Sequence, residues 1–248
     1  MCLLCETAEA GLSRRHLLRT GAALAGTAGA LTMAPLAATA KEAAKDKAAP
    51  PPPPLSPDKA LRRLTAGNAR YAANTARNRD YSVGRAARAA AQFPFAAIVS
   101  CADSRVSPEI LFDQGPGDLF VVRVAGNFVN DDGLASLEYG VKMLNIPLIL
   151  VLGHSGCGAI GATIKAIQDG AQLPGHLPGL VDALKPGVEA AIARKPADLM
   201  AEATMENVRH NVRRLADAQP IVAPMVADSR VRIVGGLYDI ATGKVGLL

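Results

Sequence analysis

Three short apolar runs, separated by segments with helical patterns, constrain the fold of this 248-residue chain more than any other feature. The runs cover Phe95–Ser100, Leu119–Val124 and Pro147–Leu152, and the last of them reads PLILVL. Strands that are apolar along their whole length, rather than at alternate positions, are typical of a parallel sheet covered by helices on both faces. The sequence therefore predicts an α/β fold with a central, mostly parallel β-sheet.

Helical patterns surround these runs and complete the predicted architecture. Ser56 and Pro57 suit the first turn of an N-terminal helical arm, because serine caps helices and proline is tolerated at their start. Apolar positions at helical spacing follow in this arm, at Leu61, Leu64 and Tyr71. Further helices are predicted over 83–91, 108–112 and 134–144.

The C-terminal half is predicted to be mainly helical from Gly158 to Leu215, with a loop rich in proline and glycine around 173–187. Two final strands, VRIVGGLYDI and KVGLL, are joined by Ala241–Gly243 in a connection typical of a hairpin.

The first forty residues predict a signal peptide. Ser13–Arg19 reads SRRHLLR and precedes a stretch of small apolar residues that ends in Ala38–Ala40. Paired arginines in this place resemble the motif of the twin-arginine route, so we expect export by that machinery, cleavage near Ala40 and a periplasmic location. The alternative is a retained anchor, but the Gly, Ala and Thr content is too weakly apolar, so we expect no stable membrane insertion after cleavage.

Residues 41–57 are predicted to be an Ala/Lys/Pro-rich linker, because five consecutive prolines, Pro50–Pro54, suit an extended spacer. The folded domain is then 58–248. Cys2 and Cys5 precede the export motif and would leave with the signal peptide, which leaves two cysteines in the mature chain.

The net charge of +5 does not predict a nucleic-acid partner. The densest basic cluster, Arg209, Arg213 and Arg214, lies in a helical pattern, and no basic stripe is interleaved with aromatic residues. We therefore expect no nucleic-acid binding.

Two cysteines and a histidine follow the ends of two predicted strands. Cys101 ends the first strand, and His154 and Cys157 end the third, so in a parallel sheet all three meet at one edge. Two thiolates and one imidazole suit zinc, and three protein ligands leave a fourth position for water or for Asp103. An open fourth position is typical of a catalytic zinc site.

Three other interpretations remain open at this point. Cys101 and Cys157 could form a disulfide, as in a redox protein of an oxidising compartment. Both could be ordinary buried cysteines beside a core histidine. Asp103 and Arg105 could be a local ion pair without a catalytic role.

The motifs CADSR, at Cys101–Arg105, and HSGC, at His154–Cys157, resemble the β-class carbonic anhydrases. The similarity runs from about Leu61 to Asp239. It implies one zinc ion per subunit, held by Cys101, His154 and Cys157, with Asp103 as a possible fourth ligand in a closed state.

The resemblance also implies a reaction, the reversible hydration of carbon dioxide to bicarbonate and a proton. In this hypothesis Asp103, held by Arg105, orients a zinc-bound hydroxide toward carbon dioxide. Gln92, nine residues before Cys101, matches the substrate-binding glutamine of the family. The predicted pocket also includes Phe120, Tyr139 and Gly158. His176 and His210 are possible proton relays, although a surface position without this role is the simpler interpretation.

Two alternative functions use the same zinc site: a hydrolase of carbon disulfide or carbonyl sulfide, and a non-catalytic zinc-binding protein of the cell envelope. The resemblance also implies a homodimer or homotetramer, with Leu61, Leu64 and Tyr71 as candidates for the contact between subunits.

Overall fold

The structure is a computed structural model, and it describes residues 52–248. The predicted signal peptide, and all but the last residues of the predicted linker, lie outside the described residues. Residues 52–248 belong to one compact unit. Within them, no helix combines the length and the apolar character that a bilayer span requires.

Within residues 52–248, five strands form one mixed sheet, in which four strands are parallel. The strands are β1 (Ala96–Ser100), β2 (Leu119–Arg123), β3 (Leu148–His154), β4 (Arg232–Tyr238) and β5 (Val245–Leu247). Their order across the sheet is β2-β1-β3-β4-β5, and only β5 is antiparallel to its neighbour. The predicted α/β class, the mostly parallel sheet and the final hairpin are thereby confirmed.

Eight helices surround the sheet in the described part of the chain. They are α1 (Pro57–Ala72), α2 (Arg85–Ala90), α3 (Pro108–Leu111), α4 (Asp131–Met143), α5 (Gly158–Asp169), α6 (Leu177–Ala193), α7 (Leu199–Ala216) and α8 (Val222–Ala227). As predicted, Ser56 caps α1, since its hydroxyl accepts a hydrogen bond from the Lys59 N–H. Helix α4 begins three residues earlier than predicted, because the Asn130 side chain caps it at Gly133.

Both faces of the central strands β1 and β3 are buried, as the continuous apolar runs predict. All five residues of β1 are buried, and its successive side chains point to opposite faces. Ile98 packs in the apolar cluster that contains Leu64 of α1, whereas Val99 packs in the cluster that contains Val208 of α7. The helices on the two faces therefore exclude water from the strands that lead to the candidate site.

The predicted loop at 173–187 is wrong from Leu177 onward, where α6 begins. Proline and glycine are loop signals, but Pro178 lies in the first turn, where proline is tolerated. Leu184 and Val188 are buried on one face of this helix, and a Cβ at Gly187 would lie 2.7 Å from the Asn207 Cα. Close packing of α6 against α7 therefore outweighs the local signals.

Two further predictions need correction. Strand β3 continues to His154, two residues beyond its predicted end, so this histidine lies within the sheet ladder. Leu64 of α1 is only 1% exposed and belongs to the core of its own chain, while Leu61 and Tyr71 pack partly against the same core. Leu64 is therefore not available for a contact between subunits.

Candidate metal centre

The carboxyl ends of β1 and β3 bring two cysteines and a histidine together. Cys101 follows β1, His154 is the last residue of β3, and Cys157 directly precedes the first residue of α5. Because β1 pairs in parallel with β3, with Ser100 opposite Leu152, both strands end at the same edge of the sheet. The two sulfur atoms and a ring nitrogen of His154 lie within 4.8 Å of one another, and all three residues are buried. Both cysteines are free thiols in this structure.

The Cys101 sulfur lies in an environment that stabilises a thiolate. The neighbouring Cys157 thiol lowers the pKa of Cys101 to about 4, and the interaction with His154 adds to this effect. Two backbone N–H groups also donate to the Cys101 Sγ, those of Gly126 at 3.2 Å and Asp103 at 3.4 Å. The same interaction with Cys101, together with burial, raises the pKa of Cys157. A cation bound by both sulfurs would therefore displace a proton from Cys157.

The histidine presents one nitrogen to these sulfurs and uses the other to hold its ring. Its Nδ1 lies 3.0 Å from the Ser155 carbonyl oxygen, which can only accept a hydrogen bond, so Nδ1 carries a proton and donates. Its Nε2 is buried without a hydrogen-bond partner within residues 52–248. Burial lowers the pKa of His154, but the interactions with Cys101, the Ser155 carbonyl oxygen and Asp103 together outweigh this effect and raise the pKa.

These three side chains fit a metal ion. A buried polar atom without a partner lowers the stability of the fold. A cation bound between Nε2 of His154 and the two sulfurs would give this nitrogen the partner that it lacks. Two sulfur donors and one imidazole nitrogen suit a borderline-soft cation such as zinc, and they do not suit the oxygen-preferring calcium or magnesium. The predicted grouping of Cys101, His154 and Cys157 as a three-ligand site is thereby supported.

Asp103 and Arg105 form a tight pair beside this group. Arg105 donates to Oδ1 of Asp103 from its backbone N–H and its Nε, both at 2.9 Å, and to Oδ2 from Nη2 at 2.7 Å. Oδ2 of Asp103 also lies 3.9 Å from Nε2 of His154. The hydrogen bonds from Arg105 hold the pKa of Asp103 well below its usual range. An ionised carboxylate of fixed orientation therefore lies next to the candidate metal ligands.

Comparisons with known proteins agree with this geometry. The sequence profile of the family described as "Carbonic anhydrase" matches residues 96–245. Carbonic anhydrase 2 of Mycobacterium tuberculosis strain H37Rv is 39% identical over 193 residues, which are 77% of this chain and 93% of the relative. A carbonic anhydrase of Pseudomonas aeruginosa is 41% identical over 170 residues, 63% of this chain and 74% of that protein.

A solved structure gives the same result for the fold. The Coccomyxa β-carbonic anhydrase in complex with acetazolamide is 28% identical and superimposes with a TM-score of 0.59, over 77% of this chain and 82% of that one. The chain belongs to the β-class carbonic anhydrase family. The predicted family and the prediction of an enzyme of this type are thereby confirmed.

The other predicted pocket residues of this carbonic anhydrase lie around α2, α4 and α5. Gln92 is exposed in the loop between α2 and β1. The Phe120 ring packs beside Gly140 of α4, and Tyr139 of the same helix is 50% exposed. Gly158 is the first residue of α5, directly after Cys157. Their assignment to substrate binding stays a prediction.

The two histidines that were candidates for proton relay lie on different helices. His176 is exposed at the N-terminus of α6, and His210 is partly buried on α7. Burial, and then the nearby Arg213 and Arg214, lower the pKa of His210. A relay role for either histidine stays a prediction.

Sequence reasoning missed the role of Arg123. This last residue of β2 donates hydrogen bonds to the carbonyl oxygens of Cys101 and Asp103. A signal was available, because β1 and β2 are adjacent parallel strands and Arg123 is a polar residue at the carboxyl end of an apolar run. A polar side chain at this end of β2 is expected to lie near the loop that follows β1, which carries Cys101 and Asp103.

Proposed function

We propose that this protein holds one zinc ion per subunit through Cys101, His154 and Cys157 and catalyses the reversible hydration of carbon dioxide to bicarbonate and a proton. The observation that carries the proposal is the single constellation at the carboxyl edge of the sheet. In it, three ligand atoms lie within 4.8 Å of one another and the Asp103 carboxylate lies 3.9 Å from one of them.

Zinc at this site would supply a Lewis acid that makes water a nucleophile near neutral pH. Asp103 would orient the nucleophile, because an ionised carboxylate can only accept hydrogen bonds. It accepts from the reacting O–H group and so directs an oxygen lone pair toward carbon dioxide. Arg105 keeps this carboxylate ionised and occupies its oxygen atoms, which favours the state in which Asp103 is not a fourth ligand.

The remaining predicted residues would bind the substrate. Gln92 would donate a hydrogen bond to a substrate oxygen as negative charge develops there, which stabilises the transition state more than the ground state. Phe120 and Tyr139 would form apolar walls suited to a small uncharged gas. Gly158, without a side chain, leaves room at the N-terminus of α5, since nothing lies within 4 Å of where its Cβ would be.

Metal analysis coupled to a stopped-flow assay of carbon dioxide hydration tests this proposal. We expect about one zinc per subunit and rapid hydration of carbon dioxide. Carbon disulfide and carbonyl sulfide, assayed in parallel, distinguish the related hydrolases, which would turn over a sulfur gas faster. Stoichiometric zinc without turnover of any of the three gases would instead indicate a non-catalytic zinc-binding protein.

We propose in addition that the chain is exported to the periplasm by the twin-arginine route and cleaved near Ala40. The support is the SRRHLLR motif, followed by small apolar residues and an Ala-Thr-Ala end. Replacing both Arg14 and Arg15 by Lys should leave the precursor in the cytoplasm, as measured by cell fractionation. Periplasmic recovery of that variant at the wild-type level would contradict the proposal.

We propose that the mature protein is a homodimer or homotetramer. Several large apolar side chains are exposed on the single chain, and they include Val83 at 71%, Met143 at 64% and Ile110 at 62%. Strand β2 also has an unpaired edge within the described sheet. A second copy would cover apolar surface of this kind. Sedimentation of the zinc-loaded protein measures the assembly, and a monomer at micromolar concentration would contradict it.

A further inference from the structure

Arg123 binds the backbone of the loop that carries Cys101 and Asp103. Its Nε donates to the Cys101 carbonyl oxygen at 3.0 Å, and its Nη2 donates to the Asp103 carbonyl oxygen at 2.8 Å. One guanidinium therefore joins the two residues on either side of Ala102. Since the guanidinium is planar and rigid, it sets the distance between the two carbonyl groups as well as their direction.

This contact begins where the sheet ladder ends. The register of β1 and β2 stops at Ser100 opposite Arg123. Two further backbone bonds follow, from the Val124 N–H to the Ser100 carbonyl oxygen at 3.2 Å and from the Ala102 N–H to the Val124 carbonyl oxygen at 3.1 Å. Beyond that point the chain turns away from β2. The Arg123 side chain extends the connection between the two segments through residue 103, where backbone pairing no longer reaches.

The segment after β2 also reaches the metal ligand itself. The Gly126 N–H donates to the Cys101 Sγ at 3.2 Å, while Arg123 holds the carbonyl of the same residue. Residues 123–126 therefore bind Cys101 at both its main chain and its side chain. The position of the CADSR loop depends on this segment as well as on β1.

Asp103 is consequently held by two arginines at two different places. Arg105 binds its carboxylate, and Arg123 binds its carbonyl oxygen, which also accepts from the Val106 N–H at 2.9 Å. Without Arg123 the Asp103–Arg105 pair would persist, since its contacts are local. The pair would be free, however, to shift relative to His154 Nε2, from which the carboxylate now lies 3.9 Å.

We infer that Arg123 is a positioning residue that acts through Asp103 by fixing the main chain of residues 101–103 beside the metal ligands. The inference rests on the proposed carbon dioxide hydration, in which a carboxylate of fixed orientation directs the reacting oxygen. Displacements of about 1 Å at a reacting centre cost about a hundredfold in rate, so a loop clamp of this kind has a measurable effect on kcat.

A double-mutant cycle on the zinc-loaded enzyme tests this inference. We expect Arg123→Gln to lower kcat by about tenfold to a hundredfold at unchanged zinc content. Arg123→Lys should recover part of the loss, because a single ammonium group can donate to one of the carbonyls. In an Asp103→Asn background, Arg123→Gln should cost less than about twofold, because residues that act as a unit show strongly non-additive effects. Arg230→Gln, at an exposed arginine of the loop before β4, is the matched control and should change nothing.

Full kcat in Arg123→Gln would overturn the inference, and so would an equal fold loss in both Asp103 backgrounds. If Arg123→Gln does not fold, Arg123→Lys takes its place in the cycle. Amide hydrogen exchange tests the role of Arg123 independently of whether the protein hydrates carbon dioxide. If the wild-type protein hydrates no carbon dioxide, faster exchange of the Asp103, Arg105 and Val106 amides in Arg123→Gln than in Arg230→Gln still supports the clamp, and equal exchange overturns it.

Discussion

Two carboxylates of this protein, Asp103 and Asp113, are both bound by arginine, yet their surroundings differ. The Asp113 side chain is 4% exposed and is bound by Arg70 and Arg79, and the backbone N–H of Arg77 also donates to it at 3.2 Å. These partners lie 34 to 43 residues away in the chain. The partner of Asp103 lies only two residues away.

The direction that each carboxylate faces completes the contrast. Asp113 is enclosed by groups from α1 and from the segment after it, so its contacts connect α1 to the end of α3. The carboxylate of Asp103 is bound on one side by the nearby Arg105, and on the other side its Oδ2 faces His154, a candidate metal ligand. We therefore propose that the Asp113 contacts stabilise the fold and that the Asp103–Arg105 pair serves the proposed reaction. The two differ in the sequence distance of the arginine and in what the carboxylate faces.

The largest expected effect comes from removing a ligand. Cys157→Ser should reduce bound zinc to below about a tenth of an ion per subunit and abolish turnover, because a hydroxyl is a poor substitute for a thiolate ligand. Metal analysis and the hydration assay measure both. Cys2→Ser in the full-length chain is the control and should retain zinc and activity. Stoichiometric zinc in Cys157→Ser would rule out this ligand set.

The next largest effect tests the proposed role of Asp103 in the reaction. Asp103→Asn should keep stoichiometric zinc but lower kcat by about a hundredfold, because a carboxamide does not provide an anionic acceptor held by Arg105. Stopped-flow hydration and metal analysis on the same preparation measure the two quantities. Retention of full turnover would show that Asp103 has no orienting role, and loss of zinc would show that it supports the metal site instead.

The matched substitution at Asp113 should lower stability and leave turnover nearly unchanged. Asp113→Asn should lower the free energy of unfolding by about 2 kcal/mol, because it leaves buried or partly buried arginine donors without their charged acceptor. Turnover should stay within about twofold of wild type. Urea denaturation and the hydration assay measure this, with Asp182→Asn on the exposed side of α6 as the control. If Asp113→Asn reduced turnover as strongly as Asp103→Asn, the two pairs would not differ in role.

Much of the fold and of the candidate site was predictable from the sequence. The continuous apolar runs predicted the parallel strands, because only a sheet buried on both faces accommodates them. Parallel topology then placed Cys101 and His154 at one edge, although 53 residues separate them. The prediction that these side chains meet required only the strand ends, which is why the convergence could be predicted without knowledge of the packing.

The parts that sequence reasoning missed depend on tertiary contacts. The preference of Pro186 and Gly187 for loops predicted a loop here. Burial of Leu184 and Val188 against α7 instead stabilises a helix. Arg123 lay inside the predicted apolar run Leu119–Val124. Its contact was missed because it depends on the pairing of β1 with β2, which the apolar runs alone do not specify. Asp113 was missed for the same reason, because its partners come from other parts of the chain.

The smallest expected effect is the pH dependence of the Asp113 contribution. Burial raises the pKa of Asp113, but the hydrogen bonds from Arg70 and Arg77 and the charges of Arg79 and Arg70 together outweigh this effect and leave the pKa below its usual value. A carboxyl group with a depressed pKa in the folded state stabilises the fold above the unfolded pKa, about 3.9, and loses that contribution as the pH falls through the folded value. The difference in unfolding free energy between wild type and Asp113→Asn should therefore be constant from pH 7 to about pH 5 and shrink below about pH 4. Urea titrations across this range measure it, and a difference that stays constant down to about pH 2 would mean that the Asp113 charge does not contribute to stability.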